Sequence, residues 1–355
     1  MVYRGNLGRL GQFRRRLRPG LAALAFVWGG LGTGCRKDTA TATGPDATGG
    51  ATPLTKVVFQ TNWTAQPEQG GYYQALARGF FREAGLDVTI APGGPGAFPM
   101  QKVAVGQAQF GIGRSDDLIL AAQQGLPLVI VCAQLEHDPQ GITVHAESPV
   151  QRFEDLDGRT IKAVPGQAWL DFLKLRYKIN FNVVPENYGY AQFIADPNFI
   201  QQGYLTTDAY YCGLQRVKVR VLLISDSGYD AYRVVFTSRD FITRHPGAVK
   251  AFVQASIRGW NDFIDGDSKP AETLLTKDNS ENTPELMAYV RTALRAHGMV
   301  SGDPAKGEHT GLITRGRLTD QLNILRQLGL LKTPVSVDQV ATFDFLPEEL
   351  KAPAR

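Results

Sequence analysis

Between Lys56 and Phe236 short runs of β-type residues alternate with segments of helical spacing, and this alternation limits the chain to an α/β fold. Val57-Val58-Phe59, Val88-Thr89-Ile90, Phe110-Gly111-Ile112 and Leu128 to Cys132 read as strands. Between them a helix is expected from Gly71 to Ala84, with Tyr72, Leu76 and Phe80 on one face and Gly85 as its stop. A shorter helix is expected near Pro99–Val105, and another from Ser115, read as its cap, to Gln124. The pattern resumes with strands at Ile142-Thr143-Val144, Thr160–Val164, Val219–Ile224 and Tyr232–Phe236, and a helix over Gln167–Tyr177. Such alternation predicts mainly parallel sheets covered on both faces. From Pro246 the chain turns helical, with Val249, Phe252, Val253, Ile257, Trp260, Phe263 and Ile264 forming one apolar stripe. Pro284 opens a further helix that Gly298 closes, and a last one is expected from Leu318 to Leu328. A length of 355 residues fits two lobes better than one core.

The N-terminus has a different character. Arg14-Arg15-Arg16-Leu17-Arg18 precedes an apolar run from Leu21 to Leu31, and Gly32-Thr33-Gly34 leads to Cys35. Basic, apolar and small-residue regions in that order describe a secretory signal, here residues 1–35. The apolar run is too short to span a bilayer of ~30 Å as a helix. Cys35 resembles the lipidated cysteine of a bacterial lipobox, with Gly32 where that motif usually has Leu. The expectation is an exported protein, periplasmic or at the cell surface, lipid-anchored to the membrane through Cys35; the alternative is plain secretion with cleavage nearby. Residues 36–54 are rich in Thr, Ala, Gly and Pro and read as a flexible tether. Residues 1–34 hold six arginines and no acid, so the net charge of +4 belongs to the signal; the remainder has 32 bases against 34 acids. That balance gives no reason to expect nucleic acid as a partner.

Several chemistries are unsupported. There is no Gly-x-Ser-x-Gly elbow, and the Gly93-Gly94-Pro95-Gly96 loop lacks the Gly-Lys-Ser/Thr ending of a phosphate-binding loop. Gly111-x-Gly113 does not complete a dinucleotide fingerprint, and His137, His145, His245, His297 and His309 lack zinc-like spacing. No metal or cofactor is expected. Beyond Cys35 only Cys132 and Cys212 remain, which make no disulfide framework; Cys132 reads as a buried strand residue.

The most informative stretch runs from Gln60 to Phe81 as strand, polar loop and helix. Asn62, Trp63 and Glu68 lie in the loop, and Gly70-Gly71 leaves room for something to approach the helix start ahead of Tyr72. The carboxyl edge of a parallel sheet is where such folds bind ligands. Ser115 and Asp116, with Asp117, open a helix after a strand in the same way. Seven of the twelve tyrosines fall between 188 and 232. Tyr190, Tyr204 and Tyr229 are candidates to stack on a flat ring, with Asp208 and Asp226 as acceptors and Trp169 as a wall across the cleft. The lack of an arginine cluster beside these acids argues against sulfonate or nitrate, with Arg114 as the one nearby exception.

The segments EQGGYYQALARGFFREAGLDVTI, PGGPGAF and VAVGQAQFGIGRSDDL, followed by SPVQRFEDLDGRTIKAVPG and DSGYDAYRVVFTSRDFITRHPGAVKAFVQASIRGW, resemble the NMT1/THI5-like solute-binding family over about residues 55–265. The resemblance implies a type II periplasmic-binding-protein fold: lobe one from 55–142 plus 237–345, lobe two from 143–236, and a cleft between them. It implies a monomeric receptor, not an enzyme, that hands a small flat heterocycle such as a thiamine-pyrimidine precursor to an ABC permease and its ATPase. Sulfonate and nitrate receptors belong to the same family. Fungal members instead make the thiamine pyrimidine using pyridoxal phosphate, an active-site histidine and lysine, and a cysteine-rich motif. This chain has Gln69 where the family often shows that histidine, and it lacks the cysteine cluster.

Overall fold

A computed structural model of the protein describes residues 53–351, so the signal, Cys35 and nearly all of the tether lie outside the described residues. In chain order the strands are β1 (Thr55–Gln60), β2 (Leu86–Ala91), β3 (Phe110–Arg114), β4 (Leu128–Leu135), β5 (Gln140–His145), β6 (Thr160–Ala163), β7 (Asn182–Pro185), β8 (Ile200–Tyr204), β9 (Val219–Leu223) and β10 (Arg233–Ser238). The helices are α1 (Gly70–Ala77), α2 (Phe80–Glu83), α3 (Pro99–Ala104), α4 (Ser115–Gln123), α5 (Ala168–Tyr177), α6 (Ala191–Ala195), α7 (Asp208–Leu214), α8 (Arg239–Arg244), α9 (Pro246–Asp265), α10 (Lys269–Asp278), α11 (Pro284–Ala296), α12 (Arg315–Gln327) and α13 (Val337–Val340). The strands form two five-stranded sheets, in the orders β2-β1-β3-β10-β4 and β7-β6-β8-β5-β9.

Each sheet is mixed rather than mainly parallel. β1 pairs in parallel with β2 and β3, and β6 with β7 and β8. The antiparallel pairs come from β10 in the first sheet and β5 in the second. These are the strands that enter each lobe from the other one, and a strand arriving from outside the βαβ succession need not keep its direction. The sheet changes therefore lie between Leu135 and Gln140 and between Leu223 and Arg233. The boundaries read at 142 and 236 cut into β5 and β10, because an apolar strand carries no mark of which sheet it joins.

The first lobe is built on α9, whose stripe from Val249 to Ile264 is buried as the spacing predicted. Phe252 stacks on Phe110 at 4.0 Å and on Phe81 at 5.1 Å between ring centres. α1 lies so close to α9 that a Cβ on Gly70 would sit 2.3 Å from the Phe263 ring, and one on Gly71 2.2 Å from Trp260. The expected helix from Gly71 to Ala84 is two helices, broken where Gly79 takes a left-handed φ of 76°. β4 is buried along its whole length. Its outer edge is met by the C-terminal segment, where Thr342 N–H donates to the Ile130 carbonyl at 3.0 Å. Cys132 and Cys212 are both free and buried.

A polar cluster ties both sheet changes to the first lobe. Arg317 of α12 bonds Glu136 at 3.1 Å and Asp230 at 2.8 Å. The His137 ring faces Asp230 with Nδ1 at 3.3 Å and Glu308 with Nε2 at 3.2 Å. Two carboxylates supply only acceptors, so both ring nitrogens must donate, which requires the imidazolium. The Asp230 hydrogen bond accordingly raises the His137 pKa, against burial and Arg317. Burial pushes Glu136 up to about 7, with Arg317 pulling it down.

Both shifts have one sign. A group with a raised folded pKa loses its stabilising contribution as pH rises through that value. For Glu136 the window runs from its ordinary 4.5 to about 7, and for His137 it opens at its ordinary 6.5 and extends upward. The melting temperature is therefore expected to fall between pH 5 and pH 8.5, and His137→Gln to flatten only the upper part. A wild-type melting temperature that holds level above pH 6.5 refutes the His137 assignment.

Candidate functional site

The carboxyl ends of β1, β2 and β3 in the first sheet and of β6, β7 and β8 in the second face the cleft, the edge at which open α/β sheets bind ligands. At the cleft floor lies a buried charge network. Arg114, the last residue of β3, grips Asp116 with Nε at 3.1 Å and with a second nitrogen at 3.2 Å. It also donates to Asp138 at 3.0 Å and to the Gln140 amide oxygen. Arg233, the first residue of β10, pairs with the same Asp138 at 3.1 Å and donates to the Tyr204 hydroxyl at 2.9 Å. Tyr229 closes the network by donating to Asp116 at 2.5 Å. Burial raises the Asp116 carboxyl, but Arg114 and Tyr229 outweigh it and hold it below the usual carboxylate range. From Gln140 the bonds run on to Gln167 at 3.0 Å, whose side-chain oxygen also accepts from the Trp169 indole.

Above this floor the lobes touch at several points. Glu68, on a 3-10 turn at Pro67–Gln69, accepts from the Thr206 hydroxyl of the second lobe at 2.6 Å. Burial raises its carboxyl, with Thr206 and Arg233 opposing. Trp63 meets Tyr188 with ring centres 4.9 Å apart, and Tyr210 meets Tyr289 at 5.6 Å. Tyr188 is 55% exposed and takes a left-handed φ of 58°, uncommon outside glycine. Its loop is held from beneath by buried Lys162, which donates to the Gly189 carbonyl at 2.7 Å and pairs with Glu186 at 3.3 Å. The Glu186 carboxylate accepts from the Tyr188 N–H at 2.6 Å.

The residues expected at the site fall into two groups. Trp63, Glu68 and Tyr204 each make a contact between the lobes, whereas Tyr190 packs on Tyr211 and donates to Asp208 within the second lobe. Asn62, half-buried beside Trp63, makes no side-chain hydrogen bond among the described residues. The rest serve the protein. Tyr72 is fully buried against Phe59 and Trp260. Gly70 makes room for Phe263 and not for a ligand. Ser115 is the first helical residue of α4 rather than its cap; its hydroxyl accepts from Tyr232 N–H at 3.0 Å and donates to Gln321 at 2.5 Å. Trp169 and Tyr229 are buried, each committed to the network below the cleft. Asp208 has both oxygens occupied, by Tyr190 at 2.8 Å and Thr143 at 2.5 Å. Asp226 is exposed on a 3-10 turn and joins none of these bonds among the described residues.

Asp116 is buried in the floor network, and Asp117 follows it in the first turn of α4. Asp117 is exposed, yet Asp116, Arg114, Arg233 and Asp138 all act on it. Partial desolvation raises its carboxyl above the usual range, the Asp116 charge adds to the rise, and Arg114 and Arg233 oppose it. Asp138 and Arg233 escaped the sequence reading. Their signal was the charged stretch Glu136-His137-Asp138 after the run Leu128–Leu135 and the charge opening Arg233-Val234-Val235-Phe236. A separate hollow of about 400 Å³, lined by His145, Ser148, Asn198 and Lys218, lies at the other end of β5 from the cleft and holds none of this network.

Comparison with known proteins agrees with the fold. Residues 66–269, more than half of the chain, match the family model described as NMT1/THI5 like. The riboflavin-binding protein RibY of Chloroflexus aurantiacus is 25% identical over 311 residues, covering 83% of this chain and 87% of that one. The periplasmic aliphatic sulphonate-binding protein SsuA of Escherichia coli superposes with a TM-score of 0.60 at 14% identity, over 86% of this chain and 96% of that one. The periplasmic nitrate-binding protein NrtA of Synechocystis PCC 6803 gives a TM-score of 0.56 at 14% identity, over 82% and 87%.

The floor network carries a testable energy. Removing one member of a buried ion network leaves an uncompensated charge, at a cost of about 3–5 kcal/mol. Arg114→Met is expected to lower the urea midpoint accordingly, and an unchanged midpoint would refute a structural role for this network.

Proposed function

We propose, from the premise that this chain belongs to the NMT1/THI5-like family, that it is an exported receptor of an ABC importer whose lobes close over a small flat heterocycle. The observation that carries the reading is the pair Trp63 and Tyr188, one from each lobe, with ring centres 4.9 Å apart at the cleft. A planar ring entering between them gains two aromatic faces and bridges the lobes, so binding shifts the open–closed equilibrium. The similarity to a riboflavin-binding protein supports a flat heterocycle, with a thiamine-pyrimidine precursor as the narrower choice. The permease and its ATPase read the closed form, and lipidated Cys35 keeps the receptor at the membrane.

Thermal shift and calorimetry against riboflavin, thiamine pyrimidines, nucleobases, taurine and nitrate test the ligand class. A flat heterocycle is expected to stabilise the protein, and Trp63→Ala to weaken its binding roughly threefold to tenfold through lost stacking. Stabilisation by taurine or nitrate alone rules out the heterocycle reading. Release of a pyrimidine from protein loaded with pyridoxal phosphate rules out a pure receptor. For the anchor, Cys35→Ser is expected to move the protein from the membrane fraction to the soluble one; an unchanged distribution argues for plain secretion.

A further inference from the structure

Buried Lys162 commits its ammonium to one short loop. Nζ donates to the Gly189 carbonyl at 2.7 Å and to Asn187 Oδ1 at 3.0 Å, and it pairs with Glu186 at 3.3 Å. Those two side chains in turn hold the backbone of the same loop. Glu186 Oε1 accepts from the Asn187 N–H at 2.9 Å and the Tyr188 N–H at 2.6 Å, and Asn187 Oδ1 accepts from the Gly189 N–H at 3.2 Å. Three consecutive N–H groups are thus tied, through two side chains, to one buried cation. The ammonium makes no hydrogen bond or ion pair outside residues 186–189 among the described residues.

The side chain this brace presents is Tyr188. Its φ of 58° is a backbone conformation that bulky residues rarely adopt, and its side chain is exposed. Glycine or asparagine would take the same backbone with less strain. A strained, exposed aromatic held from beneath by a buried ion pair points to a role for the ring. Its one aromatic pairing among the described residues crosses to the other lobe, where Trp63 lies 4.9 Å away between ring centres. Trp63 is pinned as well. Its carbonyl accepts from the Thr61 hydroxyl and from the Gly93 N–H, each at 2.8 Å. A Cβ on Gly93 would lie 2.4 Å from the Thr61 carbonyl oxygen, so the two loop segments are in direct contact. With both loops held, the rings meet where the lobes carry them and not where a free loop swings.

Resting on the receptor reading above for the part this ring pair plays, we propose that Lys162 is a positioning residue of the cleft: it fixes the 186–189 loop so that Tyr188 reaches Trp63 as the lobes close. Its action is indirect, through Glu186 and Asn187.

The test reads how well Trp63 is shielded, by acrylamide quenching of tryptophan fluorescence in the full-length protein. Trp169 and Trp260 are buried, and subtracting the signal of a Trp63→Phe protein isolates the Trp63 component. Tyr188→Ala is expected to raise the quenching of that component roughly twofold by removing the ring that covers it. Lys162→Met, which keeps the apolar stem, is expected to raise it too, and Asn187→Ala to do so less strongly. Asn187 is exposed, so its variant keeps the test usable where Lys162→Met fails to fold. Adding either change to Tyr188→Ala is expected to have no further effect, because a residue that acts through the tyrosine then has nothing left to position, whereas general loosening of the second lobe would add to it. Shielding that Tyr188→Ala lowers but Lys162→Met and Asn187→Ala leave intact, or effects that add in the double variants, overturn the role of Lys162 and leave the receptor reading standing. Shielding that Tyr188→Ala itself leaves unchanged removes the ring contact, and with it both this inference and the observation that carries the receptor reading.

Discussion

Two guanidiniums face each other where the lobes meet. Arg114 ends β3 and Arg233 begins β10, and the antiparallel register makes them direct partners across the sheet. Like charges in that position repel, and both are buried, so the pairing survives only with an anion between them. Asp138 is that anion, bonded at 3.0 Å to one arginine and 3.1 Å to the other. It sits in the first sheet change, directly after β4, and so the requirement for a counter-charge fixes the path of the chain as it leaves the lobe. The second sheet change ends on Arg233 itself. One carboxylate thus holds both crossings and the end of β3 in register, and the cleft floor inherits its shape from that constraint.

The network is stiff where it is buried and yields towards the cleft mouth. Arg114, Asp116, Asp138 and Gln140 are all buried and multiply bonded. The contacts higher up are single: one hydroxyl from Thr206 to Glu68, one ring pair at Trp63 and Tyr188, one at Tyr210 and Tyr289. The two ring pairs include the exposed Tyr188 and Tyr289, while the Glu68–Thr206 bond is buried.

The strand–helix succession of the first lobe was legible because its apolar runs alternate with helical stripes that are buried throughout. β7 and β8 were not. Asn182–Pro185 is mostly exposed, and Ile200–Tyr204 carries two glutamines, so neither presents the periodicity that marks a strand. The helix break at Gly79 was missed because the apolar spacing carries straight across it. Trp63 and Glu68, read as candidates because they share one polar loop, both lie at contacts between the lobes. Tyr72 misled because the Gly70-Gly71 step before it looks the same whether it admits a ligand or the rings of α9. The Arg114–Asp138–Arg233 network was invisible as a unit, since its members are scattered along the chain and only the crossing of the lobes unites them.

The charges of that network also decide what the cleft can hold. Arg114 and Arg233 are matched by Asp116 and Asp138, so the floor is neutral within itself. Glu68 and Asp117 remain, and loss of solvation pushes both carboxyl groups upward, with Arg233 opposing in each case. The interior charge is therefore negative, and it stays so with one of the two acids protonated. Two solved proteins with this fold are described as binding sulphonate and nitrate, both anions. A fold shared at 14% identity fixes the two-lobed container and not its contents, so what this container admits is set by the side chains at the cleft and not by its backbone.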